Sequence, residues 1–96
     1  MHQHYEHYAK VEIKGRIETG RVAIGGETTG VGIHAGELSW DLDFGTQTRL
    51  RQLAERLNGQ TALVTGTFKR VRGIETGPRD VVMVESLSAP DQLSGQ

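Results

Sequence analysis

Between residues 37 and 59 the chain changes its hydrophobic period once, and that change limits the folds open to it. In "ELSWDLDF", Leu38, Trp40, Leu42 and Phe44 alternate with Glu37, Ser39, Asp41 and Asp43, so one face is apolar and the other acidic. Period two over eight residues is the mark of a half-buried β-strand. In "TQTRLRQLAERLNG", which follows, Leu50, Leu53, Ala54 and Leu57 fall at i, i+3, i+4 and i+7. That is one apolar stripe on a helix of about three turns. Thr46 or Thr48 is available as N-cap and Asn58-Gly59 as the stop.

The rest of the chain reads as strands. Val11, Ile13 and Ile17 alternate with Glu12, Lys14, Arg16 and Glu18, and Gly15 breaks the apolar face where a bulge or bend is expected. A second strand is expected from Arg21 to about Gly25, with "GETTGVGIH" continuing as a glycine-broken strand or a wide loop. After the helix, "TALVTGTF" sets Ala62, Val64 and Phe68 on one face with Gly66 at mid-strand, and "DVVMVESL" begins apolar on both faces, which predicts cover on both. The order is β-β-β-α-β-β. Residues 1–9 and 89–96 are polar and without periodicity, so they read as flexible tails on a domain spanning 10–88.

A chain of 96 residues has room for one modest core. It has no Cys, which removes disulfides, zinc-thiolate sites and thiol nucleophiles together. A net charge of −1 argues against a surface that attracts phosphate everywhere, though not against a local basic patch. No apolar run approaches the roughly 18 residues of a membrane helix, and "MHQHYEHYAK" is no signal peptide, so a cytoplasmic chain is expected. No cofactor motif appears either: the G-x-G of "GVGIHAG" lies among strands, without the strand-to-helix turn that dinucleotide binding needs.

Five strands with one helix between the third and fourth, and bend-permitting glycines inside the first and fourth, resemble the OB-fold, a five-stranded Greek-key barrel. More narrowly, "GQTALVTGTF" followed by a basic turn and a Val-rich last strand looks like small bacterial OB-like domains of unassigned function. The resemblance implies a helix closing one end of the barrel, with Leu50, Leu53 and Leu57 against Trp40 and Leu42. It transfers no catalytic residue. The same order of elements also fits an open antiparallel α+β sandwich. Strand edges of a partly open barrel are able to pair between copies, and the sequence leaves the oligomeric state open.

The four letters Ile-Glu-Thr-Gly occur twice, at 17–20 and 74–77. Their flanks differ, so duplication is disfavoured and two turns leaving strands are the simpler expectation. In the OB plan these copies fall in the connections between strands 1 and 2 and strands 4 and 5, the loops through which such folds hold ligands. The cations Arg16, Arg21, Lys69, Arg70, Arg72 and Arg79 gather near the same two connections and are the candidate ligand-binding residues. Against a nucleic-acid role stand the scarcity of exposed aromatics, with Trp40, Phe44 and Phe68 expected in the core, and the acidic face of strand 3. Asp41 and Asp43, side by side on that face with Glu37 near, suggest a cation site, but cross-strand Lys or Arg partners explain them as simply. His2, His4 and His7 are weak metal candidates, and His34 is the one histidine inside the domain.

The expectation is therefore a non-enzymatic binding module, its partner a protein or a small ligand. Single-stranded nucleic-acid binding through the six cations is the alternative. A small metal-dependent hydrolase using Asp41, Asp43 and His34 is a third.

Overall fold

The computed structural model describes residues 9–21, 30–73 and 77–89. They form β1 (Ala9–Arg21), β2 (Gly30–Ala35), β3 (Leu38–Asp43), α1 (Thr48–Arg56), β4 (Thr61–Gly73) and β5 (Gly77–Ser88). The strands pair in a closed ring, β1-β2-β3-β5-β4 and back to β1. Every pairing is antiparallel except β3 with β5, which is parallel over Asp41–Asp43 and Val81–Met83. An open, wholly antiparallel sandwich is thereby excluded.

Ring closure depends on β1 serving two neighbours. Residues 9–16 pair with β4 and residues 16–21 with β2, so the two ladders meet at Arg16. Gly15 stands at this junction, and a Cβ there would lie 2.2 Å from the carbonyl oxygen of His34. The bulge expected at Gly15 is not there, since the β1–β4 register is regular through it; glycine is required instead by the close approach of the neighbouring backbone.

Two register shifts set which side chains face inward. In β4–β5, Thr65 opposes Ser86 while Gly66 opposes Val84, so Glu85 is the extra residue of a bulge. This is why Val82, Val84 and then Leu87 all reach the core although the last step is three residues. Val81 is buried outside that core and Met83 is exposed, so cover on both faces of β5 is met at Val81 and fails at Met83. In β1–β2, Thr19 opposes Val31 and Arg21 opposes Gly30, leaving Gly20 as the extra residue with a φ of +77°.

The interior is filled by Ile13, Ile17, Val31, Ile33, Leu42, Phe44, Val64, Val82 and their neighbours. Ala54 of α1 and Leu57 at its C-cap are buried with them, and Leu50, Leu53 and Trp40 pack against the same cluster, as the helical stripe requires. The helix stops as expected: Gly59 takes a φ of +82°, and its N–H donates to the Ile17 carbonyl at 2.7 Å. Its start differs. Gln47, rather than Thr46 or Thr48, occupies the cap position, and its side-chain amide crosses to the Val84 carbonyl at 2.7 Å.

Other expectations are corrected. Arg21 belongs to β1 and pairs with Gly30 of β2, so it does not open the second strand; the rest of the expected stretch falls in residues 22–29, outside the described residues. Leu38 is 62% exposed, and Glu37 belongs to the Gly36-Glu37 turn between β2 and β3 rather than to the acidic face of β3. Phe44 is buried as expected, but Phe68 is only half-buried. At the proposed tail boundaries, Ala9 already pairs with Phe68, and Ala89 packs on the core. Among the described residues no helix is long and apolar enough to cross a membrane.

Candidate functional site

The first Ile-Glu-Thr-Gly is not a loop. Ile17 is a core residue, and the copy lies within β1, ending in the Gly20 bulge. Side chains alternate along a strand, so after outward Glu18 and inward Thr19 an unbulged strand would turn Arg21 inward. The extra residue reverses this and delivers Arg21 to the outer face, a common use of bulges. The second copy joins β4 to β5: the two strands pair as far as Gly73 and Gly77, and residues 74–76 lie outside the described residues. The expected basic loop is likewise strand, since Lys69, Arg70 and Arg72 stand on β4 and Arg79 on β5.

From its new position Arg21 crosses β2 above Gly32 and meets Asp41 on β3. A Cβ on Gly32 would lie 2.3 Å from Arg21 Nη1 and 2.5 Å from its Cδ, so only glycine leaves room for this path. Gly32 and Asp41 are cross-strand partners, which sets the distance to be spanned. Arg21 Nε stands 3.3 Å from Asp41 Oδ1. From the other side Arg79 grips the same carboxylate with two hydrogen bonds, Nε to Oδ2 at 2.7 Å and Nη2 to Oδ1 at 2.8 Å. The three side chains are only 19%, 15% and 13% exposed, so the group is partly desolvated and its geometry is held on both flanks.

Around this centre lies an open cleft of about 400 Å³ lined by Arg21, Ser39, Asp41, Arg70, Arg79 and Asp80. Arg70 donates from Nε to Asp80 Oδ1 at 2.9 Å. At its rim Glu18 accepts a hydrogen bond from His34 Nε2 and stands 3.8 Å from Arg21 Nη1. The His34 hydrogen bond holds the Glu18 carboxyl below its usual range; partial desolvation opposes this, and the charges of His34, Arg21 and Arg16 add to it.

Of the six cations expected to act together, Arg21, Arg70 and Arg79 share the cleft. Lys69 stands apart on Asp43, at 3.5 Å. Arg16 is exposed on β1 with no ion pair among the described residues, and the side chain of Arg72 lies outside them. The acidic face of β3 is explained by its partners: Asp41 holds Arg21 and Arg79, and Asp43 holds Lys69 while accepting the Gly45 N–H at 2.9 Å. His34 is engaged by Glu18, so each of His34, Asp41 and Asp43 is bound to a different group. No cluster of three metal-ligating side chains occurs among the described residues, and His2, His4 and His7 lie outside them.

Sequence reasoning missed Gly20, Gly32, Ser39 and Asp80. One signal was readable: in "GVGIH" glycine takes each position that faces away from buried Val31 and Ile33 until His34, which marks a strand whose outer face is kept bare. No protein-family model matches the sequence, and no curated protein matches it.

Proposed function

We propose that the closed sheet is an OB-fold-like Greek-key barrel and that the chain is a non-enzymatic binding module. Supporting the barrel are the ring order, the single parallel pairing of β3 with β5, and the helix inserted between β3 and β4. Supporting the binding role is one observation above others. Arg21, at the end of β1, and Arg70 and Arg79, on the β4–β5 arms, reach a single cleft although their strands end in different connections. The carboxylates Asp41 and Asp80 there are bound by guanidinium groups, an arrangement that orients donors and favours the ionised, engaged carboxylate over a base in proton transfer.

Nucleic-acid binding is the weaker reading. A phosphate backbone needs a row of cations along its path, and Lys69, Arg70 and Arg79 are each held by a carboxylate of the same surface, Asp43, Asp80 and Asp41, so successive phosphates would meet alternating charge. A screen of small polar ligands and short single-stranded DNA and RNA, read by amide chemical shifts at low and moderate salt, tests both. Binding of a small ligand should perturb residues 21, 39, 41, 70, 79 and 80. Oligonucleotide shifts reversed by salt and centred on Arg16 would favour the alternative. Ligands mapping only to another face, or a turnover abolished by changing Asp41, would overturn the proposal.

A further inference from the structure

We infer that the cleft is an oxyanion site, taking the phosphate or carboxylate group of a small ligand, with Arg21 as its anchor. This rests on the binding-module reading and names the chemistry of its ligand.

Three arginines and two aspartates line the cleft, an excess of one positive charge (3 − 2) that Glu18 at the rim offsets and that returns once Glu18 is displaced. Within that wall the three guanidiniums are not equivalent. Arg79 has a full two-point contact with Asp41, and Arg70 donates to Asp80. Arg21 has ion-pair proximity to Asp41 and Glu18, yet its Nη1 is buried without a hydrogen-bond acceptor among the described residues. A guanidinium presents five N–H donors in a rigid fork, and a buried donor left without an acceptor is costly. Asp41 cannot turn to satisfy it, because Arg79 holds both of its oxygens.

The position of that donor is constructed. The Gly20 bulge brings Arg21 outward, bare Gly32 gives it a floor, and Asp41 fixes its Nε edge. An oxyanion with two oxygens to offer, carboxylate or phosphate, is the ligand that fits such a fork. Ser39 adds a hydroxyl on the same wall. The group in competition is Glu18, half-exposed and hydrogen-bonded by His34: it stands 3.8 Å from Nη1, and a ligand oxygen reaches that covered donor only by displacing it. A metal cation is disfavoured at the same spot, since it would face three guanidiniums with both local aspartates already engaged.

The test is titration of isotope-labelled protein with inorganic phosphate and, separately, with acetate, at ionic strength held constant with chloride. The readout is the backbone amides of residues 21, 39, 41 and 79 and the arginine Nε–Hε signals. Saturable shifts at these groups in either arm are expected, and the stronger arm identifies the ligand class. In Gly32→Ala the new methyl displaces the flexible Arg21 side chain while every charge is kept, and the saturable shifts should disappear. Arg21→Met should abolish them as well, and it serves alone if Gly32→Ala loses the native spectrum. Shifts that never saturate, that spread over all surface cations, or that survive both substitutions would overturn the inference. Silence toward both anions, with other small ligands still mapping to the cleft, overturns the oxyanion assignment and leaves the binding reading standing. Ligands mapping only elsewhere defeat both.

Discussion

The two bulges of the sheet use the same device for opposite ends. In β4–β5 the extra residue, Glu85, keeps Val84 and Leu87 both directed at the core, and Gly66 lets the strands approach so closely that a Cβ would lie 2.1 Å from the Met83 carbonyl oxygen. In β1–β2 the extra residue, Gly20, turns Arg21 away from the core, and a Cβ there would meet nothing within 4 Å. One bulge rests on a close backbone contact at Gly66, with Glu85 itself exposed, and serves the fold. The other is open and serves the surface; its glycine takes a left-handed backbone, and the neighbouring Thr19 N–H donates to Asn58 Oδ1 at 3.0 Å.

The largest consequence follows at the packed bulge. Gly66→Ala forces a methyl against a backbone carbonyl that cannot yield without parting β4 from β5, and overpacking of this kind costs about 3 kcal/mol. Urea unfolding measures it. A loss below about 1 kcal/mol would mean that the strands part easily and that the two bulges are not of different kinds.

Next in size is the charge on which the open bulge acts. Asp41→Asn leaves Arg21 and Arg79 facing each other, both mostly covered, with no anion between them. Breaking a fully buried pair costs about 3 to 5 kcal/mol; with the carboxylate 15% exposed, about 2 kcal/mol is expected. Double-mutant cycles with Arg79→Met and Arg21→Met should give the larger coupling to Arg79, which makes the two-point contact. Equal couplings would show that Arg21 is held as firmly as Arg79.

At the open bulge itself the cost is conformational. Gly20→Ala meets no steric obstacle and must adopt a φ of +77°, so about 1 kcal/mol is expected. Gly20→Asn should recover part of this, because asparagine tolerates the left-handed region. If alanine and asparagine cost the same, the loss comes from displaced Arg21 rather than from the backbone.

These differences explain how far the sequence can be read. The alternation of β3 and the helical stripe rest on periodicity, which local residues express directly. The special standing of Gly15 and Gly66 is visible as well, since a glycine inside an apolar alternation marks a bend or a close approach of neighbouring backbone. The site is harder. Whether Arg21 faces in or out depends on one extra residue, and the first Ile-Glu-Thr-Gly reads as the end of a strand because a bulge glycine and a turn glycine are the same letter. The partners of Asp41 come from β1 and β5, twenty residues earlier and thirty-eight later, and pairing at that separation is fixed by closure of the ring rather than by any local pattern. Lys or Arg partners for the acidic face are foreseeable in kind, but which cations supply them is not.

The smallest effect lies at the rim of the open bulge, in Glu18. Its carboxyl titrates below the usual glutamate value chiefly because His34 donates a hydrogen bond to it. A folded-state pKa below the unfolded one means that the native state binds the proton less readily, so ionised Glu18 stabilises the fold above the unfolded pKa of about 4.5. That contribution falls away as pH drops through the lower, folded value. The side chain is 51% exposed and solvent screens it, so Glu18→Gln should cost at most about 0.5 kcal/mol at neutral pH. The measurement is urea midpoints of the wild type and Glu18→Gln from pH 7 downward, with the curves expected to converge below the ordinary glutamate range. A gap that persists at the acid end would assign the effect to packing instead of charge, and the rim of the cleft would then resemble the packed bulge more than the open one.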